Sequence, residues 1–216
     1  MLPTKTESRK GVESSIRSTP VIGVVRTASE GEAESQARIL IDAGIELVEI
    51  TFSCPNATAL VSRLLSERPA GGPPWIGMGT VTSPGRATEA LAAGSEFLVT
   101  PNARAETAAV AVEAGVYLIV GALTPTEIAA ARDMGADMVK VYPLPPVGGA
   151  TYLATVRQPL SDIPMLASGG FPPEEIPEYW AAGATGFGIG APILGSTPEE
   201  IRERVRNSLQ SARGQA

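Results

Sequence analysis

The 216-residue chain contains no histidine, and that absence excludes more chemistry than any single motif suggests. Without an imidazole there is no Ser–His or Cys–His nucleophile pair, no histidine general base and no histidine-ligated metal site. No acidic cluster suggests a carboxylate-only metal site either, so the sequence predicts neither metal nor cofactor. Acid–base work falls to Glu, Asp, Lys, Tyr or water. A single cysteine, Cys54, excludes an internal disulfide and fits a reducing compartment. No apolar run approaches the roughly twenty residues of a transmembrane helix, and the polar start from Met1 to Lys10 is unlike a secretory signal. The net charge is −6, with no basic run beyond the scattered Arg202-Glu203-Arg204-Val205-Arg206 helix face. Nucleic acid and anionic membrane are therefore poor partners. The expectation is a cytoplasmic protein that meets small molecules.

Lysine is scarce as well: three lysines stand against fourteen arginines. Lys5 and Lys10 lie in a polar N-terminal segment, residues 1–18, of which Ser8 to Ser18 has the makings of a short helix. Lys140 is thus the only lysine in the remaining body, residues 19–216. It sits in Ala136-Asp137-Met138-Val139-Lys140-Val141-Tyr142-Pro143, where apolar and β-branched neighbours read as a buried strand. Burying an ammonium is costly unless it is paired or gives up its proton. A neutral amine can attack a ketone and form a Schiff base. Two readings stand from this stretch: a reactive amine, or a structural lysine–carboxylate pair along a strand wall.

With 44% hydrophobic residues the chain can bury a sizeable core as one domain. Its pattern is a repeating strand–helix unit. Strands are predicted at 20–25, 47–52, 75–78, 97–100, 117–120, 138–142, 165–167 and 185–189. Helices are predicted at 30–43, 56–67, 84–93, 105–114, 126–134, near 152–156, 174–182 and 198–211. Gly44, Gly94, Gly115, Gly135 and Gly183 close helices at spacings of 50, 21, 20 and 48, so the long gaps hold two units each. Eight such units predict an α/β protein of the (β/α)8 TIM-barrel class. A doubly wound open sheet also alternates strands and helices, but no G-x-G-x-x-G run opens the first helix.

Barrel enzymes carry their reactive groups at the C-terminal ends of the strands. That face collects Arg26, Glu49, Thr51, Thr80, Pro101, Asn102, Lys140, Ser168, Gly169, Gly170 and Gly190. Strand alternation puts Leu47, Glu49 and Thr51 on one side, with Val48, Ile50 and Phe52 on the other. The apolar side packs on helices, so Glu49 is expected to point inward. By the same reasoning Met138, Lys140 and Tyr142 point into the barrel. An interior lysine and glutamate are either a buried ion pair or a nucleophile with its proton shuttle. Glycines in the loops after the last two strands, Ser168-Gly169-Gly170 and Gly188-Ile189-Gly190-Ala191, are placed to bind an anion through backbone N–H groups. Arg26 is placed to add charge at that rim.

These residues resemble a known family. Val48-Glu49-Ile50-Thr51, Gly77-Met78-Gly79-Thr80-Val81, Val99-Thr100-Pro101-Asn102, Val139-Lys140-Val141-Tyr142-Pro143, Ser168-Gly169-Gly170-Phe171 and Gly188-Ile189-Gly190 occur in the order found in the 2-keto-3-deoxy-6-phosphogluconate and 2-keto-4-hydroxyglutarate aldolases. The likeness spans Val21 to Leu194. It implies a class I, pyruvate-dependent aldolase in which Lys140 forms the Schiff base and Glu49 moves protons. It implies further that Thr80 helps hold the pyruvoyl carboxylate, that Tyr142 packs near the imine, and that Arg26 is basic at the substrate rim. A homotrimer is implied as well. Two departures stand out: Ser53 replaces an arginine that some members use to grip a carboxylate, and Gly190-Ala191-Pro192 replaces a serine that many place near a phosphate. The expected products are pyruvate and an aldehyde, glyceraldehyde 3-phosphate or glyoxylate. The competing expectations are a phosphate-binding barrel isomerase, epimerase or synthase, and a non-catalytic barrel that binds a sugar acid.

Overall fold

Short runs of β-branched and aromatic residues alternate with helical segments, and in the computed structural model they close on themselves. Residues 5–68, 71–190, 193–195 and 197–213 are described. Strands β1 (Val21–Val25), β2 (Leu47–Thr51), β3 (Trp75–Gly79), β4 (Phe97–Val99), β5 (Tyr117–Ala122), β6 (Met138–Val141), β7 (Met165–Ser168) and β8 (Gly186–Ile189) each pair in parallel with the next. β8 returns to β1 through Val21↔Phe187, Ile22↔Gly188 and Gly23↔Ile189, so the sheet has no free edge. The barrel expectation is borne out, and the open sheet is not.

After α1 (Lys5–Ser18), the helices follow the strands in turn: α2 (Glu30–Asp42), α3 (Ala57–Glu67), α4 (Pro84–Ala92), α5 (Ala105–Ala114), α6 (Pro125–Asp133), α7 (Gly149–Arg157), α8 (Ile176–Ala181) and α9 (Pro198–Arg213). Local chemistry explains where they begin. Ser29 and Ser83 accept the Glu32 and Arg86 backbone N–H groups, and Thr124 with Glu127 makes a reciprocal capping box. α7 is longer than the segment near 152–156 because it starts directly behind a 3-10 turn at Pro145–Val147, which turn-forming residues had obscured.

Alternation divides the buried side chains into two sets. Val21, Val25, Val48, Ile50, Val139 and Val141 face the helices in an outer core. Ile22, Val24, Leu47, Trp75, Phe97, Val99, Tyr117, Ile119, Met138 and Leu166 fill the ring, and Val12 and Ile16 of α1 join them from below. α1 therefore plugs the end where the strands begin. Gly11 lies against the Trp75 indole, where a Cβ would sit 2.0 Å from the ring, and Trp75 Nε1 donates to Ser15 Oγ at 3.1 Å.

The plug is fastened by a buried carboxylate. Glu96 accepts from Ser8 Oγ at 3.0 Å, from Ile76 N at 3.0 Å, and from both terminal nitrogens of Arg68 at 2.7 and 2.8 Å. Arg68 is buried too and stacks on Trp75. Removing one partner of such a pair strands the other charge. Arg68→Ala is expected to lower the unfolding free energy by about 3–5 kcal/mol, seen as an earlier denaturant midpoint at an unchanged slope.

A cleft of about 820 Å3 lies beside the plug, lined among others by Arg9, Glu13, Arg17, Tyr117, Arg132 and Arg157. Its charges are engaged: Arg9 with Asp137, Arg17 with Glu13, and Arg132 and Arg157 with the carbonyls of Ala136 and Ile163. It belongs to the end of the barrel opposite the residues singled out by sequence. No helix among the described residues is long and apolar enough to cross a membrane.

Candidate active site

At the end where the strands finish, the interior is lined by absences. The inward positions Gly77 and Gly79 of β3, Gly121 of β5, and Gly186 and Gly188 of β8 carry no side chain. Below, Phe97 takes the room at Gly77, where a Cβ would meet its ring at 2.4 Å. Above, the room holds Glu49 and Lys140.

Glu49 stands between inward Leu47 and the mouth, in register with Val24 and Gly77, and is 1% exposed. Its carboxylate leans over β3: a Cβ on Gly79 would lie 1.7 Å from Oε1. Neither carboxylate oxygen has a hydrogen-bond partner among the described residues. A buried carboxylate without donors is expensive, and such orphans concentrate where chemistry needs them.

Lys140 lies across the ring on β6, between Gly121 and Leu166 in register, and is 8% exposed. Its inward neighbour Met138 is in the ring core, whereas Val139 and Val141 pack outside. The ammonium nitrogen sits 5.2 Å from the centre of the Tyr142 ring, which stands at the mouth and is 41% exposed. No ion pair among the described residues includes Lys140 or Glu49. The structural pair that the sequence left open is therefore not formed, although both side chains enter the same interior.

The rim carries a positive charge that no ion pair among the described residues engages. Arg26, leaving β1, donates to Ser53 Oγ at 2.9 Å and to Thr80 Oγ1 at 3.2 Å. Both acceptors are hydroxyls, so the guanidinium charge stays available to an anion. Thr80 adopts φ +59, a left-handed conformation unusual for a β-branched residue. On the next strands the Thr100–Pro101 backbone crosses over Gly121, whose absent Cβ would lie 2.3 Å from the Pro101 carbonyl carbon. Gly121 N donates to Thr100 Oγ1 there.

Ser168 Oγ donates to the Gly188 carbonyl at 3.2 Å, tying the ends of β7 and β8. Gly169 packs on the Pro143–Pro145 segment, while the missing Cβ of Gly170 would face open space. Gly190 approaches the Val24 carbonyl at the end of β1. Ala191, expected at the same rim, lies outside the described residues. Arg26, Glu49, Thr80, Pro101, Lys140, Tyr142, Ser168, Gly169, Gly170 and Gly190 thus all lie at one end of the ring.

Two features escaped sequence reasoning. Arg86 falls in the first turn of α4, yet its guanidinium returns to the mouth and donates to the Thr80 carbonyl at 3.3 Å and to Thr82 Oγ1 at 3.1 Å. The available signal was its position: a cation in a helix's first turn opposes the helix dipole and calls for another reason. The second is Gly79. It has no positive φ, so no turn demands glycine; the Glu49 carboxylate does. Gly79→Ala is expected to push that carboxylate aside, lowering turnover by about tenfold or more while the barrel stays folded at a cost of about 1–3 kcal/mol. Steady-state kinetics beside a thermal melt reads both.

The family model and the sequence relatives point to aldolases. The family described as KDPG and KHG aldolase matches residues 12–203. A 2-dehydro-3-deoxy-6-phosphogalactonate aldolase of Escherichia coli K12 is 31% identical over 175 residues, covering 81% of this chain and 84% of its own. Among solved structures, a cube-shaped porous cage designed by fusing symmetric oligomeric domains superposes with TM-score 0.82 at 28% identity, covering 91% of this chain and 73% of that one. A KDPG aldolase of Legionella pneumophila, with pyruvate captured at low pH as a covalent carbinolamine intermediate, superposes with TM-score 0.75 at 25% identity over 94% of this chain and 95% of its own.

Proposed function

Since the chain belongs to the KDPG and KHG aldolase family, we propose that Lys140 and Glu49 are its catalytic pair in the class I cleavage of a 2-keto-4-hydroxy acid. The protein is a lyase acting on small keto acids. The observation that carries the residue assignment is the pair of buried, unpaired charges sharing one interior.

The Lys140 side chain gives a proton to Glu49, by way of water or substrate, and attacks the C2 carbonyl as a free amine. The oxygen leaves as water with one proton from the attacking nitrogen and the one returned by Glu49, so a protonated imine faces an ionised Glu49. That cation draws the electron pair of the C3–C4 bond while Glu49 takes the C4 hydroxyl proton. The aldehyde departs and an enamine remains. Glu49 then returns a proton to C3, and hydrolysis of the imine releases pyruvate and restores Lys140. One carboxylate serves each transfer because acid and base roles alternate. The ring seals the pair from bulk solvent on every side but the mouth, so substrate entering there meets both groups away from bulk water.

At the mouth, Arg26 and the Thr80 hydroxyl are the proposed grip on the substrate carboxylate, with Pro101 and Tyr142 shaping the wall beside it. The Ser168–Gly170 loop, with Gly190 and the Ala191 that follows it, is the proposed seat of a terminal phosphate. The substrates we assign are 2-keto-3-deoxy-6-phospho sugar acids and 4-hydroxy-2-oxoglutarate, giving glyceraldehyde 3-phosphate or glyoxylate beside pyruvate. An isomerase or epimerase barrel would share the loop glycines but does not require the lysine and the glutamate together. We place the protein in the cytoplasm as a homotrimer. The similarity to a cage built from symmetric oligomeric domains supports an oligomer.

A panel of phosphorylated and unphosphorylated 2-keto-4-hydroxy acids, assayed for released pyruvate, tests this reading. Pyruvate from at least one of them is expected. Silence across the panel, together with isomerisation of a sugar phosphate, would replace it.

A further inference from the structure

We propose that Arg86 is a positioning residue, which holds Thr80 in its left-handed conformation and so aims the Thr80 hydroxyl at the substrate carboxylate. This rests on the aldolase reading for what Thr80 meets, but the hold itself is geometric.

Thr80 is gripped from both ends. Its hydroxyl accepts from Arg26, and its carbonyl accepts from Arg86. The residues on either side are fixed by the sheet: the Gly79 carbonyl accepts from Phe52 N at 2.9 Å, and Val81 N donates to the Val99 carbonyl at 3.2 Å. Between those anchors Thr80 joins the two at φ +59. Only one other described non-glycine residue, Asn56, has positive φ, and asparagine tolerates that region far better than a β-branched threonine. Such a conformation persists only when its surroundings over-determine it.

Arg86 supplies that surrounding. Its backbone N–H is bound by the Ser83 cap, which fixes the base of the side chain. The guanidinium lies 5.2 Å over the Phe52 ring and bonds the Thr82 hydroxyl, so it is held between the residue that follows β2 and the loop after β3. From there it reaches the Thr80 carbonyl. No ion pair among the described residues engages it. In the first turn of α4 its charge is disfavoured by the helix dipole, so the helix does not account for it. A planar fork with an aromatic stack is a task for arginine more than for lysine.

The test combines kinetics with a structure. Arg86→Ala is expected to raise KM for the keto acid about tenfold with kcat within about threefold, the signature of lost uniform binding. Arg86→Lys, with one donor restored, is expected to recover part of that loss. Thr80→Gly adopts the left-handed region freely but lacks the hydroxyl, so Arg86→Ala is expected to add nothing to it in the double variant. A crystal structure of Arg86→Ala is expected to show Thr80 outside the left-handed region.

Multiplying effects in the double variant would mean that Arg86 touches substrate itself and would overturn the proposal. So would an unmoved Thr80 in the Arg86→Ala structure, or a lower melting temperature with unchanged kinetics. Should the wild-type protein release no pyruvate, the aldolase reading fails, and the conformation of Thr80 in Arg86→Ala still decides the hold.

Discussion

Lys140→Arg is expected to abolish turnover, by about 10⁴-fold or more, while the barrel remains folded. The substitution keeps the positive charge and most of the length, so the electrostatics of the mouth change little. What it removes is the free amine: a guanidinium stays protonated and cannot become an imine nitrogen. Lys140→Met is equally inactive but raises the denaturation midpoint, because it replaces an unpaired buried ammonium by an apolar chain of similar size. Treating wild type with pyruvate and borohydride is expected to leave a stable adduct on the Lys140 peptide, heavier by the mass of pyruvic acid less one oxygen atom. The only other lysines, Lys5 and Lys10, lie in and around the plug at the opposite end of the barrel, so peptide mapping separates them cleanly. An unlabelled Lys140, or a labelled site that survives Lys140→Met, would remove this residue from the mechanism.

Much of this arrangement was legible because period-two alternation is a strict rule inside a closed sheet. Leu47 and Met138 had to face the ring if Val48 and Val139 faced the helices, and both do. Glu49 and Lys140 follow by two-residue steps. The helix-ending glycines marked the repeat, and Gly44, Gly94, Gly115, Gly135 and Gly183 all take positive φ. What alternation could not decide is whether the two charges touch. They stand on β2 and β6, four strands apart around a ring of eight, so the answer depends on ring diameter and side-chain reach, neither of which is encoded locally. Arg86 was illegible for a different reason. Its side chain leaves the helix to serve a residue six positions earlier, and no periodicity describes a contact that folds back across a strand end. Gly79 was hidden because its lack of a side chain serves Glu49, 30 positions before it, rather than its own backbone.

Glu49→Met is expected to separate stability from function more sharply than any other substitution. The carboxylate is buried and neither oxygen is bonded by a group among the described residues, so folding carries its desolvation without return. Methionine is close in volume and flexible enough to lie over Gly79 along the same path. Replacing an unsatisfied buried polar group by an apolar one of matching shape stabilises, here by about 1–3 kcal/mol. Chemical denaturation is expected to show a later midpoint with an unchanged slope. Turnover is expected to fall by about 10²–10⁴-fold, the range for losing a positioned general acid–base. Glu49→Gln completes the comparison, since it keeps the shape and loses the proton relay: it should match the methionine variant in lost activity but gain less stability, because its amide remains unbonded. Reduction with borohydride after long incubation with pyruvate still labels Lys140 in both variants, more slowly than in wild type, since the amine is intact and only the proton transfers around it are impaired. If Glu49→Met were instead strongly destabilised, the carboxylate would be a structural element of the barrel wall, and proton transfer at C3 and C4 would need another source among the groups at the mouth.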